Sequence, residues 1–157
     1  MMNGVIKEEL KAIVGEGRYL DSEEDLLLYS YDAFMVPGRP EVVLLPISTD
    51  EVSMIMKVAY REHIPVTARG AGTNLTGGSI PTHGGISMVF TKMNKILNID
   101  KENRFAVVQP GLINMKFQKE LVKFKLYYPP DPGSMAITTM GGNVAENAGG
   151  PRAVKYG

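Results

Sequence analysis

The sequence predicts an α/β fold, and three observations carry that expectation. Residues 41–68 spell strand, helix, strand: one compact βαβ unit whose strands should run parallel. Hydrophobic residues make up 44% and charged residues 22% of the 157-residue chain, the composition of a globular protein rather than a disordered one. Glycine, with 17 residues, is concentrated in two stretches, six between Gly70 and Gly85 and six between Gly133 and Gly157. Clustered glycine marks backbone that must turn tightly or let something approach closely. The length accommodates one domain or two small ones.

The elements follow in order. Val5, Ile6, Leu10, Ile13 and Val14 recur at helical spacing, and Gly15 and Gly17 end that segment. Asp21 or Ser22 caps a second helix through about Tyr29. Residues 31–40 read as irregular connection, which makes 1–40 an N-terminal helical segment. Glu41 to Leu45 is a β-rich apolar run stopped by Pro46. Ser48-Thr49-Asp50-Glu51 is a capping box. It opens a helix with Val52, Ile55, Met56, Ala59 and Tyr60 on one face, ending near His63 before Pro65. Val66 to Ala68 and Ile86 to Phe90 read as strands. Ile96 to Ile99 and Phe105 to Val108 form a hairpin turning at Asp100 to Asn103. After Pro110-Gly111, Ile113, Phe117, Leu121 and Phe124 repeat at helical spacing.

Composition excludes several functions. Lys and Arg together number 17, as do Asp and Glu, so the chain lacks the basic excess of a nucleic-acid binder or a polybasic membrane anchor. No apolar run approaches the roughly 20 residues of a membrane helix, and residues 1–10 do not read as a signal peptide. With no cysteine and two histidines, neither a disulfide framework nor a metal site is expected. A cytoplasmic location fits, with membrane association only through partner subunits.

The first glycine stretch, Arg69-Gly70-Ala71-Gly72-Thr73-Asn74-Leu75-Thr76-Gly77-Gly78, directly follows the second strand of the βαβ unit. Ligands bind at the carboxyl ends of parallel strands. Glycines there let successive backbone N–H groups converge as a nest for an anion. Thr73, Asn74 and Thr76 add donors and Arg69 a charge, a set suited to a diphosphate. Neither the P-loop nor the G-x-G-x-x-G pattern fits, and a long surface loop is the alternative. The second stretch begins with Tyr128-Pro129-Pro130-Asp131-Pro132-Gly133-Ser134, which the prolines hold extended. It continues as Thr138-Thr139-Met140-Gly141-Gly142-Asn143-Val144-Ala145-Glu146-Asn147-Ala148-Gly149-Gly150. Gly141-Gly142 can lie against a flat ring or a phosphate. Asn143 is the expected cap of a short helix through Ala148, and a tight turn without ligand is the alternative.

RGAGTNLTGG, VVQPG, YPPDPGS, TMGGNVAENAGG and KYG, in that order, resemble the FAD-linked oxidases with a p-cresol methylhydroxylase or vanillyl-alcohol oxidase type of FAD-binding domain. The branch most resembled holds the flavin subunits of glycolate oxidases and D-lactate dehydrogenases. The resemblance runs from about Tyr29 to Gly157. It implies an FAD-binding domain over 41–157, made of a βαβ subdomain and an incomplete second, mixed-sheet subdomain. It also implies FAD-dependent oxidation of a D-2-hydroxy acid such as glycolate or D-lactate to a 2-oxo acid.

Carried onto this sequence, Arg69, Gly70, Ala71, Gly72, Thr73, Asn74, Gly77 and Gly78 wrap the FAD diphosphate. Pro130, Asp131, Pro132 and Ser134 lie along the flavin and ribityl chain. Thr139, Gly141, Gly142, Asn143, Ala145 and Gly149 approach the diphosphate and isoalloxazine, and Val108, Pro110 and Gly111 lie near the adenine. Thr73 stands where covalent relatives carry histidine, so the FAD is expected to be non-covalent. Members of the family are much longer, and their substrate domain supplies the basic and histidine residues that act on the hydroxy acid. No catalytic residue is therefore assigned, and the chain alone is expected to be inactive. A non-catalytic remnant, half of a split flavoprotein completed by a second polypeptide, and a different nucleotide binder are the other readings. A sheet that ends within a domain also predicts homo-oligomers.

His63 reads as a helix-end residue and His83 as a solvated loop residue. Met54, Met56 and Met88 read as core fillers, whereas Met140 can touch the flavin. Asp32 reads as a local cap or partner.

Overall fold

The computed structural model describes residues 2–34 and 36–156. Met35, in the predicted 31–40 connection, and Gly157, the last residue of KYG, lie outside the described residues. The chain divides into two compact units, Met1–Lys92 and Met93–Gly157.

The first unit opens with α1 (Gly4–Val14), whose cap Asn3 accepts a hydrogen bond from the Ile6 N–H. A 3-10 turn at Glu16–Arg18 leads into the two-residue strand β1 (Tyr19–Leu20), which sequence reading did not anticipate. Ser22 caps α2 (Glu23–Leu28). Then come β2 (Val42–Leu44), α3 (Thr49–Arg61), β3 (Val66–Arg69) and β4 (Ile86–Val89).

The four strands form one mixed sheet in the order β1-β2-β4-β3. β2 and β3 are both parallel to β4, and β1 is antiparallel to β2. The βαβ unit thus exists with parallel strands, but β4 lies between them, with Ile86 opposite both Val42 and Val66. Burial explains the order. β2 and β4 are buried along their whole length, as parallel strands covered on both faces are, whereas β3 is half-exposed and takes the edge. Val42, Leu44, Ile86 and Met88 pack under α1 and α3 against Leu10, Val14, Ile55, Val58 and Ala59. Val43 and Val89, with Leu45, cover the other face with Leu26 of α2.

Two details of α3 depart from expectation. Ser48 caps it by accepting from the Glu51 N–H at 3.2 Å, but Glu51 does not reach back to Ser48. Its carboxylate accepts from the Ile47 N–H at 2.9 Å and is held bidentately by Arg18 at 2.5 and 2.9 Å. The buried stripe is Ile55, Val58 and Ala59 with Val52 alongside. Val58 shifts the centre of that stripe, so Met56 and Tyr60, expected within it, are exposed, as is Met54. Of the three expected core-filling methionines, only Met88 is buried.

The second unit contains the antiparallel hairpin of β5 (Ile96–Asp100) and β6 (Phe105–Val108), with a bulge between Ile96 and Asn98. Asp100 closes the turn by accepting from both the backbone and the side chain of Asn103. α4 (Asn114–Val122) follows, then α5 (Met140–Ala145) and the short α6 (Ala153–Tyr156). Leu112, Phe117, Leu121 and Met140 form the core, with Ile96, Ile99, Ala106, Val108, Leu126 and Tyr128 against it. Met140 is therefore a core residue, not one held free for a ligand. α5 also begins earlier than expected. Thr139, not Asn143, is its cap, accepting from the Gly142 N–H at 3.3 Å, and Asn143 lies within the helix.

Candidate functional site

In the first unit, β3 ends at Arg69 and the glycine loop begins, at the carboxyl end of a strand as expected. The Arg69 side chain does not extend into solvent. It is buried, and its guanidinium lies against Gly72, where an added Cβ would fall 2.3 Å from Nη2 and 2.7 Å from Cζ. Gly72 holds φ +69°, a conformation glycine adopts without the Cβ penalty. The ring of Tyr29 lies 5.6 Å from Arg69 Cζ, within cation–π range. Burial lowers the Arg69 pKa, and the nearby Asp32, Tyr29 and Tyr31 act in the opposite direction.

Asp32, read from sequence as a local partner, is 3% exposed and reaches across the chain. Its Oδ1 accepts from the Phe34 N–H and its Oδ2 from Asn74 Nδ2, each at 2.7 Å. Asn74 Oδ1 in turn accepts from Ser79 Oγ at 2.8 Å. The Asn74 side chain is thus directed to Asp32 and Ser79, which leaves its backbone for any ligand of the loop. The Ile80 N–H closes on Gly77 O at 3.0 Å.

In the second unit, the YPPDPGS segment is fastened from α4. Asn114, fully buried, donates from Nδ2 to Pro130 O at 3.1 Å and accepts from Gln118 Nε2 at 2.8 Å. Gln118 also donates to Pro130 O at 3.3 Å. Sequence reading missed both residues. The available signal was their i, i+4 spacing beside Phe117 and Leu121 on one helix face. The Asp131 N–H donates to Gly149 O at 2.8 Å, and its carboxylate accepts from the Arg152 N–H at 3.1 Å and pairs with Arg152 Nε at 3.4 Å. Gly150, at φ +108°, has no room for a Cβ, which would lie 2.3 Å from Asp131 O.

Pro110 and Gly141, both candidate residues, meet directly. The Gly141 N–H donates to Pro110 O at 2.8 Å, and a Cβ on Gly141 would lie 2.7 Å from Pro110 Cβ. The neighbour that requires glycine at 141 is therefore a proline of this chain. The Gly111 N–H donates to Met93 O at 2.7 Å. Asn143 Oδ1 accepts from Thr138 Oγ1 at 2.9 Å.

Taken separately, each unit carries donors that fit FAD. Arg69 Nη1 and Asn143 Nδ2 are buried polar atoms without a hydrogen-bond partner, and such groups call for an acceptor. The Gly72 backbone is held in the left-handed conformation from which anion nests are built. His63 follows the end of α3 at φ +53°, and His83 is exposed in its loop, 3.0 Å from Thr82 Oγ1. Neither adjoins these groups in sequence. Among the described residues no cluster of three or more His, Asp or Glu can hold a metal, and no helix is long and apolar enough to cross a membrane.

A family model described as "FAD binding domain" matches residues 40–157. The chain is 44% identical to "Glycolate oxidase subunit GlcD" of Bacillus subtilis (strain 168), covering all of this chain and 34% of that protein. It is 46% identical to "D-lactate dehydrogenase" of Anaerostipes hadrus over 82% of this chain and 27% of that one. The chain therefore spans about a third or less of the curated relatives it matches. Among solved structures, alkyldihydroxyacetonephosphate synthase superposes with a TM-score of 0.90 at 24% identity, covering 100% of this chain and 31% of that one. p-Cresol methylhydroxylase superposes with a TM-score of 0.79 at 22% identity, covering 92% and 29%. These two likenesses establish a shared fold. Family match and relatives agree: the chain belongs to the FAD binding domain family, its fold is shared with p-cresol methylhydroxylase, and FAD is its cofactor.

Proposed function

We propose that this chain is the FAD-holding part of an oxidoreductase that converts a D-2-hydroxy acid, such as glycolate or D-lactate, to the 2-oxo acid. The observation that supports this reading best is the 44% identity, along the whole chain, to a protein named as a glycolate oxidase subunit. A D-2-hydroxyglutarate dehydrogenase of Stutzerimonas stutzeri, 30% identical, points to the same substrate class.

In this reading the backbone of Gly70 to Gly78 holds the diphosphate, and Arg69 supplies a buried positive charge beneath it. Pro130, Asp131, Pro132 and Ser134 lie along the flavin and ribityl chain, and Thr139, Gly141, Gly142, Asn143, Ala145 and Gly149 approach the diphosphate and isoalloxazine. Val108, Pro110 and Gly111 lie toward the adenine. Their work is binding and orientation, and bound FAD supplies the two-electron acceptor for the substrate carbon. Thr73 offers no imidazole for a covalent tether, so acid precipitation should release all of the flavin into the supernatant. The carboxylate-binding cation and the base come from elsewhere in the enzyme. The "subunit" in the relatives' names supports completion by further polypeptide. A cytoplasmic location, with membrane association only through partners, belongs to the same reading.

The test is a titration of FAD into the purified chain, followed by flavin fluorescence and by retention of the roughly 450 nm flavin absorbance through gel filtration. Saturable binding is expected. A chain that leaves free FAD unquenched and elutes colourless would overturn the reading.

A further inference from the structure

A buried carboxylate outside the family match organises the glycine loop from below. Asp32 precedes residue 40, where the match begins, and nothing in the motif order assigns it a role. It is 3% exposed, and an ionised carboxylate is rarely buried unless its lone pairs are met. They are met by a donor from its own turn, the Phe34 N–H, and by one from the loop, Asn74 Nδ2, 42 residues away, both at 2.7 Å. Asn74 passes the constraint on, because its Oδ1 holds Ser79 Oγ at 2.8 Å. One side chain thus ties residue 74 to residue 79, and Asp32 fixes the orientation of that side chain. Residues 70–73 lie between this tie and the end of β3 at Arg69. Gly72 is there held at φ +69° against the Arg69 guanidinium. The negative charge of Asp32 also favours the cationic form of Arg69, which burial opposes.

We propose that Asp32 is a positioning residue for the cofactor: acting through the Asn74 amide, it holds the Gly70–Gly78 loop in the conformation that receives the FAD diphosphate. The proposal rests on the assignment of that loop to the diphosphate. It adds a residue that contacts no ligand itself yet sets the affinity for one. The physical basis is preorganisation. A loop already ordered in its bound conformation loses less entropy on binding, and the difference is read as affinity.

The hydrogen-bond chain suggests variants that separate its contributions. Asp32→Asn removes the charge but can keep every hydrogen bond. The amide oxygen still accepts from Phe34, the new Nδ2 donates to a flipped Asn74 Oδ1, and Asn74 Nδ2 then donates to Ser79 Oγ. Asp32→Ala and Asn74→Ala each break the tie.

The experiment measures the FAD dissociation constant by fluorescence quenching for wild type, the three single variants and Asp32→Ala/Asn74→Ala. Each is measured well below its own melting temperature, so that only folded chain is compared. Losing a hydrogen bond to a charged group corresponds to about 10- to 100-fold in an equilibrium constant. Asp32→Ala and Asn74→Ala should each weaken FAD by about that factor. The double variant should be no weaker than the worse single one, because both remove the same link. Asp32→Asn should stay closest to wild type.

A merely structural Asp32 would lower the melting temperature and leave the dissociation constant unchanged, and that result would overturn the proposal. So would additive losses in the double variant. Should Asp32→Ala not fold, Asn74→Ala and Asp32→Asn decide: wild-type affinity in Asn74→Ala, or a full loss in Asp32→Asn, overturns the link. Wild type that binds no FAD would instead remove the loop assignment and the proposal with it.

Discussion

At Gly72 and Gly77 the backbone takes the same left-handed conformation, φ +69° and +76°, but the surroundings differ. A side chain at 72 meets the Arg69 guanidinium, whereas one at 77 meets nothing within 4 Å. Both Gly72→Val and Gly77→Val incur backbone strain of about 1–3 kcal/mol. Only Gly72→Val also displaces Arg69. Flavin fluorescence titration should show FAD binding abolished in Gly72→Val and weakened less in Gly77→Val. Equal affinity of Gly72→Val and wild type would remove the loop from the cofactor site. Glu51 makes a second residue-scale prediction. Burial alone would raise its pKa, but hydrogen bonds from Arg18 and the Ile47 N–H, with the Arg18 charge, hold it below the ordinary 4.5. A carboxyl with a depressed folded pKa stabilises the fold above its unfolded pKa and loses that contribution as pH falls through the folded value. Wild type should therefore lose stability below pH 4.5, and Glu51→Gln should flatten that part of the profile. At neutral pH the variant should be less stable by about 2 kcal/mol in urea unfolding.

Among the elements, α5 shows how a local rule can be right in kind and misplaced in position. Asn143 and Thr139 are both good caps. Thr139 wins because the Ile113–Thr139 bridge holds it extended just before the turn. Met140 then enters the helix as a core residue and Asn143 is carried inside. Thr139→Ala should lower stability by about 1 kcal/mol, read as a lower urea midpoint with an unchanged slope. Thr139→Ser, which keeps the hydroxyl, should restore most of it. α2 and α3 begin where sequence places them, because Ser22 and Ser48 each have the following turn as their partner. The β5–β6 hairpin is legible for the same reason, with Asp100 and Asn103 three residues apart. β1, two residues long, was not legible, since its definition is its pairing with Val43 and Leu44.

For the whole molecule the decisive quantity is what surrounds the substrate carbon. Dehydrogenation of a hydroxy acid needs a flavin, a cation for the carboxylate and a base within about 3 Å of the hydroxyl. Arg69 is buried against Gly72 and Tyr29, and the two histidines are a helix-end and an exposed loop residue. Positioning of base and substrate is worth about 7–11 kcal/mol of barrier, and the proposed function assigns both groups to the rest of the enzyme. The 157-residue chain loaded with FAD should therefore reduce an artificial dye no faster than free flavin when given D-lactate, glycolate or D-2-hydroxyglutarate. Acid-dependent dye reduction above that control would reveal a substrate site within this chain. Turnover that begins only when a second polypeptide is added would support the divided-enzyme reading.

By itself the sequence determined the α/β class and the positions of most helices and strands; the cofactor followed only from the resemblance of its motif order to a known family. Those features rest on signals a few residues apart: a cap and its turn, an apolar period, a proline that stops a strand. Tertiary structure alone decided that β4 separates β2 from β3, that Gly141 is glycine because of Pro110, and that Arg69 turns under its own loop. It also decided that Asp32 belongs to that loop. A carboxylate reads the same in a sequence whether water or a distant amide meets its lone pairs. Only folding brings Asn74 within 2.7 Å of Asp32, where burial makes that hydrogen bond obligatory.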